Sequence, residues 1–246
     1  MKTTFLLTLA LGLVSASPLF PQPATPPAAT SADAGFAPIF DGRTLAGWEG
    51  DPKYWRVEDG SLVGEITPET LLKQNTFIIW RGGTPADFEL KFRYRISAQG
   101  NSGLNYRSTA VDGVPLALRG YQFDIDGPQR NKPPLRHTGQ NYEERGRTFL
   151  ARRGEMVHID DSAKPVVISS LGESAALGTF IQNEGWNEVH VIARGHVLIH
   201  LLNGHVMSVV VDDDTKNRRA DGLLGVQVHV GPPMKVEFRE FRLKTL

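Results

Sequence analysis

From Phe88 to Ile96 the chain reads Phe-Glu-Leu-Lys-Phe-Arg-Tyr-Arg-Ile, with apolar and polar residues in strict alternation. Successive side chains of a strand point to opposite faces. Phe88, Leu90, Phe92, Tyr94 and Ile96 therefore share one face, and Glu89, Lys91, Arg93 and Arg95 share the other. This predicts a strand with one buried and one solvated face. The same period recurs where Leu104 and Tyr106 alternate with Asn105 and Arg107, and where Tyr121, Phe123 and Ile125 alternate with Gln122, Asp124 and Asp126. Further strands are expected over 188–193, 197–202, 206–211, 224–230 and 235–243. Asn203-Gly204, set between two β-branched runs, is a hairpin signal. In the last strand Phe238, Glu240 and Arg242 alternate with Arg239, Phe241 and Leu243, so its faces are mixed. No long apolar stripe of helical period is present, and one helical turn is expected between Glu65 and Lys73. Many strands without strand–helix alternation predict an all-β fold, a two-sheet antiparallel β-sandwich in one domain.

The ends and the composition narrow the function classes. Met1-Lys2 is followed by a short apolar run and then Ser15-Ala16-Ser17. This is the pattern of a signal peptide over residues 1–16, too short to span a bilayer. Residues 17–37 read as a Pro/Ala-rich linker and 38–246 as the single folded domain. The expected location is periplasmic or extracellular, with no transmembrane segment. Lys plus Arg and Asp plus Glu are 27 each. The formal charge is zero and no nucleic-acid partner is expected. Cysteine is absent, which excludes thiolate metal sites and cysteine nucleophiles.

The polar rows of the strands are the candidate site. Asn105 and Arg107, then Gln122, Asp124 and Asp126, then Gln227 and His229 each lie on one face of a strand. These are hydrogen-bonding groups that form a common floor if the strands are neighbours. Asn101-Ser102-Gly103 reads as a turn or as part of that floor. Asp124 and Asp126 point the same way, so each disfavours the other's charge. Tyr142, Glu143 and Glu144 fall in the segment 127–154, expected to be an irregular loop that roofs a site. Glu143 and Glu144 are expected to be solvated there. His137 and His158 are alternative titrating groups. His190, His196, His200 and His205 read as solvated strand and turn residues. Trp55 reads as core, Asp212-Asp213-Asp214 as an acidic turn, and Arg218-Arg219 as too short a run for a polyanion patch.

Several of these pieces carry a resemblance. Ile39-Phe-Asp-Gly-Arg-Thr-Leu-Ala-Gly-Trp48, Trp55-Arg-Val-Glu-Asp-Gly-Ser-Leu-Val-Gly64, Gly100-Asn-Ser-Gly103, Gly185-Trp-Asn187 and Gly225-Val-Gln-Val-His229 come in the order and spacing of one family. The chain resembles the secreted 3-keto-disaccharide hydrolases. That resemblance implies a concanavalin-A-like lectin/glucanase jelly roll and a carbohydrate or keto-sugar glycoside as partner. It implies cleavage in which a ketone at sugar C3 acidifies the C2 proton, the C1 substituent is eliminated and water adds. On that scheme His229 is the base or proton shuttle and Arg107 holds the oxyanion. Glu65 or Asp126 is the acid. Asp124 completes the catalytic set with His229, Arg107 and Glu65, and Asp124 and His229 are the candidates for holding a divalent metal ion. Asn101, Asn105, Gln122, Asp126, Gln227 and Tyr142 are the substrate-binding set. The alternative is a non-catalytic, lectin-like carbohydrate-binding module, because one sandwich serves both functions.

Overall fold

Phe88, Leu90, Phe92 and Tyr94 are all essentially inaccessible to solvent, while the charged residues between them are partly exposed. The alternation therefore does build a half-buried strand, one of seventeen strands among the described residues. The computed structural model describes residues 34–246. The expected signal peptide and nearly all of the linker lie outside the described residues. The strands are β1 (Ala37–Pro38), β2 (Trp48–Glu49), β3 (Trp55–Glu58), β4 (Ser61–Ile66), β5 (Thr76–Trp80), β6 (Phe88–Ile96), β7 (Asn101–Val111), β8 (Val114–Asp126) and β9 (Asn141–Glu144). They continue as β10 (Thr148–Ala151), β11 (Glu155–Ile159), β12 (Pro165–Ser170), β13 (Asn187–Arg194), β14 (Val197–Leu202), β15 (His205–Asp212), β16 (Leu223–Val228) and β17 (Met234–Thr245). A 3₁₀ turn at Pro68–Thr70, capped by Thr67, occupies the stretch expected to be helical. No described helix is long and apolar enough to cross a membrane.

Two sheets stack as a sandwich over Gly35–Leu246. One runs β12-β11-β15-β14-β13-β6-β17-β4-β3, with β1 added along β17 as the tenth strand. The other has seven strands in the order β10-β9-β8-β7-β16-β5-β2. All pairs among the described residues are antiparallel except β11 with β15. Leu104, Tyr106, Tyr121, Phe123, Val226 and Val228 of the smaller sheet meet Leu90, Phe92, Val189, Val191 and Phe238 of the larger one in a single core. Burying these side chains is the main force holding the sheets together.

Two bulges explain where alternation fails. β17 shifts register between Arg239 and Arg242, and Glu240 takes a left-handed backbone conformation. The extra residue resets the parity, so Phe238 and Phe241 are both fully buried. β7 shifts register after Tyr106, with Arg107 at φ 44°. The Asn203-Gly204 turn has positive φ at both residues, as a two-residue hairpin requires.

His200 corrects an expectation. It is completely buried rather than solvated. Its Nδ1–H donates to the Gln140 carbonyl at 3.1 Å, and its Nε2 accepts from the Tyr106 hydroxyl at 2.9 Å. Burial pushes its pKa down to about 3. The unfolded chain thus takes up a proton near pH 6.5 that the folded chain refuses until about pH 3. This contribution is present above the unfolded value and is lost as pH falls through that window. The expected slope from this one group is up to about 1.4 kcal/mol per pH unit. Denaturant melts of the wild type and of His200→Gln across the window measure it. An unchanged slope in the variant would place the source elsewhere.

Candidate functional site

The outer face of the seven-stranded sheet carries the polar rows. β9, β8, β7 and β16 are consecutive neighbours. Asn105 sits opposite Gln122, Gly103 opposite Asp124, and Gln122 opposite Tyr142. The missing side chain at Gly103 matters here. A Cβ at that position would collide with the Gln122 amide. Glycine thus leaves room for Gln122 Nε2 to reach across β7 toward Gln227 Oε1, a long 3.4 Å contact.

A cavity of about 180 Å³ opens on this floor. It is lined by Asn101, Gln122, Asp124, Tyr142, Gln227 and His229, together with His137, Glu144 and Phe149. The strands supply most of these side chains, His229 lies one residue beyond β16, and the loop after β8 supplies His137. His137 stacks on Phe149, with ring centroids 5.3 Å apart. Tyr142 meets the same Phe149 edge-on at 5.1 Å.

The proton positions follow from the hydrogen bonds. His229 Nδ1 lies 2.6 Å from the Val230 carbonyl. A carbonyl only accepts, so Nδ1 carries the proton and Nε2 keeps its lone pair. Burial lowers the His229 pKa; the Arg130 charge acts in the same direction, and the Val230 bond and Asp126 act against it. The imidazole is therefore neutral near pH 7. His137 has the opposite tautomer, because its Nδ1 faces the Gln140 amide nitrogen, a donor, at 3.3 Å. Asp124 is pushed well above the usual carboxylate range by burial, then by the charges of Asp126 and Glu144. Glu144 is raised by burial, partly offset by Asn75, Arg145 and Gln227. Tyr142 is raised by burial and by Glu144 and Asp124, so its hydroxyl remains a donor. Asn75 ties two sides of the cleft together: its Oδ1 accepts from Val230 N at 2.9 Å and its Nδ2 donates to Glu144 at 3.3 Å.

Of the ten residues proposed from sequence, six line this cleft. Asp126 lies beneath it, accepting from Asn101 Nδ2 at 2.9 Å, Asn131 Nδ2 at 2.8 Å and the His137 amide at 2.9 Å. It holds Asn101 and the His137 loop in place. Asn105 is fully buried, and its Oδ1 has no hydrogen-bond partner.

Arg107 and Glu65 lie elsewhere, so the expectation that they share the cleft is corrected. The bulge turns Arg107 away from the polar floor. Its buried guanidinium donates to the Ala86 carbonyl at 2.8 Å, the Gly195 carbonyl at 2.7 Å and Asp87 at 3.0 Å. Glu65 is on β4 of the other sheet, paired with Arg56 at 2.7 Å. Among the described residues no three His, Asp or Glu side chains converge to hold a metal ion. Asp124 and His229 thus have no third carboxylate or imidazole converging with them. His158 is paired with Asp213 at 2.9 Å, away from the cleft.

Glu144, His137 and Phe149 complete the lining. The segment 127–154 is not irregular throughout, since it contains β9 and β10. Read as a strand, Asn-Tyr-Glu-Glu puts Glu144 on the Tyr142 face and Glu143 on the opposite one. That parity was the available signal for Glu144.

The protein is thus a two-sheet sandwich with a small polar cleft on one sheet, holding carboxyl and imidazole groups above an amide floor. Residues 35–244 match the model of the 3-keto-alpha-glucoside-1,2-lyase-like domain, and the chain belongs to that family. Among solved structures, a "putative glycosyl hydrolase" from Parabacteroides distasonis is 20% identical, with a TM-score of 0.55 over 89% of this chain and 98% of that one. A Bacillus subtilis protein of unknown function with a galectin-like fold is 13% identical, with a TM-score of 0.54 over 82% of this chain and 90% of that one. At these identities the likeness is one of fold. No curated protein matches the chain.

Proposed function

We propose that the protein is an exported enzyme that cleaves 3-keto-glycosides in this cleft by C2 proton abstraction, elimination and hydration. One observation carries the reading: two groups lining one cleft have pKa values displaced from their ordinary positions in opposite directions. His229 stays neutral with Nε2 free, which suits a base. Asp124 holds its proton, which suits an acid. The family assignment supports the substrate class. The cavity is smaller than the roughly 300–1,000 Å³ of typical ligand sites, which suits one sugar ring.

In this scheme His229 Nε2 takes the C2 proton, and the charge moves onto the C3 ketone oxygen. Tyr142 and the Nε2–H of His137 are the donors available to that oxygen, the role Arg107 is placed too far away to fill. The C1–O bond breaks, and Asp124 gives its proton to the departing oxygen. A C1–C2 double bond conjugated to the ketone remains. Water then adds its oxygen at C1 and leaves a proton on Asp124, while His229, whose proton exchanges with solvent before it is returned, protonates C2. One water is consumed and both groups are reset.

Turnover of a 3-keto-glucoside in deuterium oxide tests the scheme. The expected product carries deuterium at C2. Product without it would mean direct glycosidic hydrolysis and would overturn the elimination route. The amide floor of Asn101, Gln122 and Gln227 also favours a second reading, a non-catalytic binding module, because amides hold sugar hydroxyls without any chemistry. Sugar binding without turnover of keto- or ordinary glycosides would select it.

A further inference from the structure

On the other side of β9 lies a second cleft of about 520 Å³, bordered by Arg119, Arg147, Lys216, Arg218 and Arg219. Sequence-distant segments assemble it, so the Arg218-Arg219 pair is part of a larger basic patch than it looks in the sequence. Its acids are accounted for. Glu143, Asp212 and Asp214 all pair with Arg147, at 2.6, 2.6 and 3.2 Å. Asp161 acts on Lys216 from farther away. Arg119, Arg218 and Arg219 have no carboxylate within ion-pair distance among the described residues. Arg219 Nε is buried without a hydrogen-bond partner, a costly arrangement unless a ligand supplies the acceptor. The backbone holding these side chains is pinned. Arg219 N donates to the Tyr121 hydroxyl at 3.1 Å, and Arg218 N to the Asp214 carbonyl at 3.0 Å. On one side lies a depression that shares Arg119 and adds Arg145 and Asp112, and on the other one that shares Arg218 and Arg219 and adds Asp87.

We propose that this cleft is a second ligand site, which docks the carboxylate or sulfate group of an anionic saccharide. Forked guanidinium groups suit such oxyanions. The lining contains no aromatic side chain, which disfavours a single-stranded nucleic acid that would stack its bases. The saccharide part of the assignment rests on the carbohydrate reading of the first cleft. Glu144 lines the first cleft and the adjacent Glu143 lines this one, so β9 separates the two.

The test is calorimetric titration of the full chain with trigalacturonate, a neutral trisaccharide, inorganic sulfate and a short oligonucleotide. Trigalacturonate is expected to bind, and to bind more weakly as salt rises from about 0.01 to about 0.1 M, where the screening length shrinks from about 30 to about 10 Å. Arg218→Gln/Arg219→Gln is expected to weaken it at least about tenfold, the scale of one lost charge-assisted contact. Arg219 is partly buried, so Lys216→Gln/Arg218→Gln, which changes only exposed side chains, serves as a second variant, with weakening in the same direction. No binding, equal binding of the neutral trisaccharide, binding of sulfate or oligonucleotide alone, or affinity unchanged in both variants would overturn the proposal. The titration reports on this cleft whether or not the protein turns over a keto-glucoside, so the two readings fail separately.

Discussion

Replacing His229 with alanine lowers turnover of a 3-keto-glucoside by about 10²–10⁴-fold, the usual contribution of a positioned acid or base. The substitution removes Nε2, the lone pair left free because Nδ1 is committed to Val230. It leaves Asn101, Gln122, Gln227 and Tyr142 in place, so the sugar still binds and the loss falls on kcat. His229 is half-buried and outside the core, so the fold survives the change, which a thermal melt verifies. Steady-state kinetics together with direct binding of the keto-sugar separate the two effects. Wild-type turnover in a well-folded variant would move the base to His137, the other imidazole of the cleft.

Arg147→Ala lowers the unfolding free energy by about 3–5 kcal/mol, the range seen when one partner of a buried ion pair is removed. Arg147 serves three carboxylates at once. The side chains of Glu143, Asp212 and Asp214 are 4%, 1% and 0% exposed. Without the guanidinium these three nearly inaccessible carboxylates lose the cation they share, which is more costly than losing an exposed pair. Urea unfolding read by fluorescence gives the value. A change below about 1 kcal/mol, the scale of a surface pair, would show that water or rearrangement compensates the carboxylates. Arg147→Lys is expected to fall between the two, because an ammonium keeps the charge but cannot span three acceptors in one plane.

The readability of this chain in its sequence tracks the regularity of its strands. Gln122, Asp124, Gln227 and His229 follow unbroken alternation, and all four line the cleft. Arg107 stands two residues beyond Asn105, and alternation put both on the polar floor. The bulge after Tyr106 breaks that inference, since one residue in a left-handed conformation reverses the side to which the chain points. The mixed faces of β17 have the same origin. Glu144 escaped because β9 is only four residues long, too short for alternation to stand out among Asn, Tyr and Glu. The Arg147 cluster had no local signature at all. Its members are joined by the closing of the sandwich, and an acidic turn such as Asp212-Asp213-Asp214 looks solvated until a cation from a distant segment meets it.

The position of β17 has a consequence for how the protein is made. This last strand does not lie at an edge. It sits between β6 and β4, and beyond its bulge it receives β1 on the side that β4 occupies before it. The first and last strands of the folded unit are therefore hydrogen-bonded to each other, and the larger sheet has a gap at its centre until the C-terminal strand arrives. A chain emerging from the ribosome holds β3–β4 and β6–β13–β14–β15 as separate pieces with no ladder between them. Contacts of such long range form late and slowly. The pieces expose strand edges while they wait, the condition in which chains associate wrongly. The central joint of the larger sheet thus cannot close before β17 has been made, and until then its two pieces have no ladder between them.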